Sequence, residues 1–124
     1  MLTELTIEHT QLSEILTGTF ENLNSLEYLY LTYNKLEHVD CDVFRGLVDL
    51  NYIDLSGNKL QYLHPDTFLG LPNLQRLDLA FNRGLQIPTD RNFIKSYSLS
   101  FLHIGGCNIS SLSVETFANV SAIK

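Results

Sequence analysis

No apolar run in this chain of 124 residues is longer than a few positions, far short of the roughly 20 that carry a helix through a bilayer. The sequence therefore excludes a membrane-spanning helix. The start, MLTELTIEHT, has no basic segment followed by an apolar one, so no secretory leader is legible there. Basic residues are also scarce: 8 Lys and Arg against 14 Asp and Glu leave a formal charge of −6. They are scattered along the chain, which excludes a nucleic-acid phosphate surface and favours a partner with a basic patch. Cysteine is limited to Cys41 and Cys107, with no pair at metal-ligand spacing. Two cysteines do not by themselves choose a redox compartment. The 44% apolar content is that of one folded domain.

What the chain does have is repetition. LEYLYLTYNKL, from Leu26, and LNYIDLSGNKL, from Leu50, place leucine or isoleucine and one asparagine at the same offsets. Aligned on the opening leucine, units begin at Leu2, Leu26, Leu50, Leu74 and Leu99, and Ile123 starts a sixth; the differences are 24, 24, 24, 25 and 24. The units are thus 2–25, 26–49, 50–73, 74–98 and 99–122, in one domain over 1–124. Phe20, Phe44, Phe68, Phe93 and Phe117 keep the same register in the second half of each unit. The extra residue of the fourth unit falls at Arg83-Gly84, where the third has Lys59 alone, and Gly84 is expected to supply the angles of a bulge. Ser96 stands where a leucine is usual after Phe93, and Tyr97 is expected to fill the gap.

Repetition with one period along the chain is the signature of a solenoid. In each unit the two leucines around a single residue point to one side of a short strand, because side chains alternate with period two. Each unit then contributes one strand to a parallel sheet, and the rest of it returns the chain behind. The pattern LxxLxLxxNxL resembles the leucine-rich repeat. Its 24-residue form, with LxxLxxLxxFxxLxx in the second half, is similar to that of animal extracellular proteins, among them Toll-like receptors, variable lymphocyte receptors and small matrix proteoglycans. The expected fold is an α/β solenoid, a right-handed superhelix of about five repeats with a concave parallel sheet and loops or short 3-10 or helical turns on the convex side, without obvious caps.

Where each strand ends, the chain turns and leaves backbone N–H and C=O groups without strand partners. An asparagine amide carries both donors and an acceptor, and so can satisfy them from unit to unit. Asn34, Asn58 and Asn82 hold that place, with Thr10 and Cys107 as small substitutes in the first and fifth units. Cys41 and Cys107 lie nearly three units apart, too far for a disulfide, so two free thiols are expected. His38 and His64 are read as surface histidines.

The register also says what faces outward. Places three, five and seven are expected on the concave sheet, and from them we take Tyr28, Tyr30, Tyr52, Asp54, Arg76, Asp78, Phe101 and His103 as the ligand-binding residues. Packing does not require large rings there, and Tyr and Arg are common binding anchors. Glu4, Glu8, Asp54 and Asp78 make the face acidic, which favours a ligand with amines or guanidinium groups. Asp54, Asp78 and His103 on neighbouring strands also raise a divalent metal or acid–base site; without a pocket or an oriented nucleophile, and with Arg76 placed to balance the carboxylates, no metal, cofactor or catalysis is expected.

The expected function is therefore non-catalytic recognition. The resemblance implies innate-immune or variable-lymphocyte-receptor-like binding of protein or microbial surface ligands, at an extracellular or cell-surface location. The alternative is a cell-adhesion or matrix protein. Sequons at Asn108 and Asn119 suit a secreted protein, although a chain with this many asparagines produces such triplets by chance. The family's cysteine-bearing caps are missing, which makes the chain either a piece of a longer receptor or a homodimer joined through uncapped ends.

Overall fold

The computed structural model describes residues 1–120. The start of the sixth unit at Ile123 and Ser121 of the second sequon lie outside them. Five three-residue strands form one parallel sheet in chain order: β1 (Glu4–Thr6), β2 (Tyr28–Tyr30), β3 (Tyr52–Asp54), β4 (Arg76–Asp78) and β5 (Phe101–His103). The middle residues pair as Leu5, Leu29, Ile53, Leu77 and Leu102, one from each strand. The backbone ladder continues beyond the strands, with N–H groups of Ile7, Leu31, Leu55 and Leu79 donating to the next unit at 2.8 Å. This is a β-solenoid in which each turn is one repeat unit.

Inward leucines, useless to an isolated unit, pack here into one continuous core. Leu29, Leu31, Ile53, Leu55, Leu77 and Leu79 are fully buried. Behind them the phenylalanines stack along the solenoid: Phe20 and Phe44 have ring centres 6.3 Å apart, and Phe44 and Phe68 5.8 Å apart. The return segments are successive turns closed by i→i+3 hydrogen bonds, such as Val43 to Asp40 and Leu47 to Phe44. No helix forms among the described residues.

Two local expectations are corrected. Gly84 does not adopt a left-handed conformation; the extra residue is absorbed in a turn closed by Leu85 N–H on Asn82 O at 3.0 Å, which any residue can make. Tyr97 does not fill the space left by the missing leucine and stands 80% exposed. Ser96 is buried there instead. Its hydroxyl accepts from Leu99 N–H at 3.0 Å, and its backbone pairs with the fifth unit through Asn119 O. A hollow of about 440 Å³ remains at the surface beside Tyr97, Ser98 and Pro72.

Candidate binding face

Strict register lines up the outward side chains in two rows. Glu4, Tyr28, Tyr52, Arg76 and Phe101 form one, and Thr6, Tyr30, Asp54, Asp78 and His103 the other. Neighbours in a row are about 4.8 Å apart along the sheet, close enough to touch. Tyr30 and Tyr52 meet with ring centres 5.4 Å apart at 52°. The guanidinium of Arg76 lies 4.6 Å from the centre of Phe101 and 5.6 Å from that of Tyr52, a cation held between two rings. Among the described residues it makes no ion pair, so the expected balance of the carboxylates by Arg76 is replaced by this stacking.

The third expected row closes. Thr32, Ser56 and Ala80, at the seventh place, are buried, leaving only Glu8 and Gly105 exposed in it. The aspartates of the fifth place help to close it by turning back on the backbone. Asp54 Oδ1 accepts from Ser56 N–H at 3.0 Å and Ser56 Oγ at 2.6 Å, and Asp78 Oδ1 accepts from Ala80 N–H at 2.9 Å. Their second oxygens face the sheet: Tyr52 O–H donates to Asp54 Oδ2 at 3.3 Å, and His103 Nδ1 lies 3.3 Å from Asp78 Oδ2.

These surroundings tune the phenols. Burial, reinforced by the negative charge of Asp54 and Asp78, pushes Tyr52 up to about 12 against the weaker opposite pull of Arg76. Burial also raises Tyr30, with added repulsion from Glu4, Tyr28, Asp54 and Glu8. Between Tyr28, Tyr30, Tyr52 and Arg76 a shallow hollow of about 270 Å³ opens over Asn51.

At the strand ends the asparagine places form a ladder. Asn58 Nδ2 donates to Leu31 O at 2.9 Å and Leu55 O at 3.0 Å, while its Oδ1 accepts from Leu36 N–H at 3.2 Å. Asn82 repeats this one unit on, bonding Leu55 O, Leu79 O and Leu60 N–H. Asn34 donates to Ile7 O and accepts from Thr10 through both its N–H and its hydroxyl. Cys107 Sγ donates to Leu79 O at 3.1 Å, and burial raises its thiol pKa. Both cysteines are free, Cys41 at the surface; His38 and His64 are exposed as well.

Asp54, Asp78 and His103 do not bring three donors within reach of one ion. Among the described residues that geometry occurs at Asp40, Cys41 and Asp42, whose donor atoms lie within 4.8 Å of one another, and there Asp42 already pairs with Arg45 at 2.7 Å.

One outward-facing row, the eighth place, was not among the expected ligand-binding residues. The eighth place is left-handed in every unit: His9, Tyr33 and Phe81 have φ of 54°, 53° and 59°, and Gly57 and Gly106 have 68° and 71°. The side chains alternate accordingly, Tyr33 lying on Gly57 and Phe81 on Gly106. His9 stacks on Tyr33 with centres 4.9 Å apart. Tyr33 and Phe81, about half exposed, extend the aromatic surface past the strand ends. The available signal was the recurrence of glycine at this place.

Comparison with protein families matches the profile described as leucine rich repeat over residues 1–60 and 36–83, and a second of the same description over 98–120. The chain belongs to the leucine-rich repeat family. Such repeats typically mediate protein–protein binding and are generally non-catalytic. A search of curated proteins found no match. No helix among the described residues is long and apolar enough to cross a membrane.

Proposed function

We propose that this chain is a recognition module that holds protein or microbial surface ligands on its concave face, extracellularly or at the cell surface, in the manner of innate-immune leucine-rich repeat receptors. The observation that carries this reading is the row Tyr28, Tyr52, Arg76 and Phe101, aligned strand by strand on the face opposite the leucine core. The core is complete without it. Large rings and an arginine so displayed are the side chains that anchor interfaces. Self-association belongs to the same proposal: β1 pairs on one side only, and Leu2 beside it is 45% exposed. A monomeric mass by light scattering at micromolar concentration removes that part.

The test is binding of the purified, tagged chain to bacteria, yeast, collagen-type matrix and host cells, with Tyr30→Ser/Tyr52→Ser alongside. Microbial binding that the double substitution abolishes supports immune recognition through this face. Equal binding by the variant refutes the face assignment. Binding confined to matrix or host surfaces makes adhesion the better account.

A further inference from the structure

The two halves of the concave face are electrostatically unlike. Over β4 and β5 the fixed charges of the two outward rows, Arg76 and Asp78, are opposite and cancel; Arg76 lies between Tyr52 and Phe101, and Asp78 faces the His103 imidazole. Over β1 to β3 there is no such matching. Glu4 and Glu8 are exposed, and neither takes part in a salt bridge or side-chain hydrogen bond among the described residues. The donors on the Asp54 carboxylate are the neutral groups of Ser56 and Tyr52, which leave its charge in place. Three carboxylates therefore surround the rings of Tyr28, Tyr30 and Tyr52, and Glu4, Asp54 and Glu8 all act on the Tyr30 phenol. The hollow of about 270 Å³ lies among the same three rings, over Asn51 and with Arg76 at its β4 edge, where the Arg76 guanidinium lies closer to Phe101 than to Tyr52.

We infer that the β1–β3 half of the face receives a basic segment of a partner protein, with an arginine or lysine head group lodged among Tyr28, Tyr30 and Tyr52 and facing Glu4, Glu8 and Asp54. The inference rests on the concave-face reading and names the chemistry of its ligand. Arg76 shows the arrangement in the chain itself, a guanidinium 4.6 Å from the centre of one ring and 5.6 Å from that of another. An incoming arginine repeats this contact on the neighbouring strands, with the carboxylates added. A single exposed cation–ring contact changes affinity only a few-fold, so useful binding requires a chain that places several groups on this surface at once. A polypeptide segment does so, and a free amine does not. Charge on this half also speeds the encounter with a basic partner.

The experiment is a nuclear magnetic resonance titration of the isotope-labelled chain with a short acetylated peptide carrying arginine at alternate positions, and with the same peptide carrying glutamine instead. The expected result is amide shift changes concentrated on Glu4–Thr6, Tyr28–Tyr30 and Tyr52–Asp54 with the arginine peptide, and much smaller ones with the glutamine peptide. Glu4→Gln/Glu8→Gln weakens the arginine peptide by about tenfold, as loss of two exposed charge contacts implies. These two side chains are exposed, so the variant keeps its fold, which its own spectrum verifies. Equal binding of the glutamine peptide at the same strands overturns the basic-segment inference and leaves concave recognition standing. Shifts centred on the return segments overturn both. No saturable shift with either peptide also overturns the inference, while the cell-binding test of Tyr30→Ser/Tyr52→Ser judges the wider reading independently.

Discussion

Asn82 satisfies the two carbonyls of Leu55 and Leu79 and the amide of Leu60 with one fully buried side chain. Asn82→Ala leaves these groups buried and unpaired, so it is expected to cost roughly 2–4 kcal/mol, read as a lower urea midpoint with an unchanged slope. Tyr52 gives a second residue-scale expectation. Its phenol is neutral when protonated, and folding raises its pKa from 10.0 to about 12. Below pH 10 both states keep the proton, and the stabilisation is complete. Between pH 10 and 12 the unfolded chain ionises first, and that stability is lost as pH rises through the folded value. Tyr52→Phe therefore loses less stability than the parent over this window in denaturation series at increasing pH; an identical decline refutes the assignment.

The turn after each strand depends on a left-handed eighth place, and its side chains are chosen in pairs across units. A Cβ on Gly57, at φ +68°, meets the Tyr33 ring at 2.5 Å, whereas one on Gly46, at φ +88°, meets nothing within 4 Å. Both Gly→Ala changes strain the backbone by about 1–2 kcal/mol. Only the first also displaces a ring, so Gly57→Ala is expected to lower the thermal midpoint more than Gly46→Ala. Tyr33→Ala in the Gly57→Ala background relieves the ring contact and recovers the difference. Equal costs for the two glycines show that Tyr33 moves aside freely. His9, Tyr33 and Phe81 hold positive φ without being glycine, a conformation that tertiary surroundings must support.

Across the whole molecule each strand bonds only to its sequence neighbours, so stability is a sum of local and nearest-neighbour terms. The ladder amides of Ile7, Leu31, Leu55 and Leu79 all donate at 2.8 Å, yet Leu31, Leu55 and Leu79 are fully buried and Ile7 is half-buried. Hydrogen exchange is thus expected to be faster at Ile7 than at the other three, despite equal bond lengths. Uniform exchange means instead that the array opens as one cooperative unit. The same linear construction carries the charge: the chain's −6 includes the uncompensated Glu4, Glu8 and Asp54 at one end of the sheet, beyond Arg76 and Asp78, whose opposite charges cancel.

The period, the strands and the ladder places of Asn34, Asn58 and Asn82 were legible in the sequence alone. A strand's alternation and a repeat's spacing are local properties, and parallel stacking carries them unchanged from unit to unit. Even the 25-residue fourth unit left the pairing of Arg76 with Phe101 intact. Tertiary structure decided which outward residues stay available. Asp54 and Asp78 turned back on their own backbones, Thr32, Ser56 and Ala80 were covered, Arg76 chose rings over carboxylates, and Tyr97 stayed outside the gap at Ser96. These outcomes depend on side-chain directions and on contacts between residues about 24 positions apart, where sequence supplies adjacency but not which of several competing partners wins.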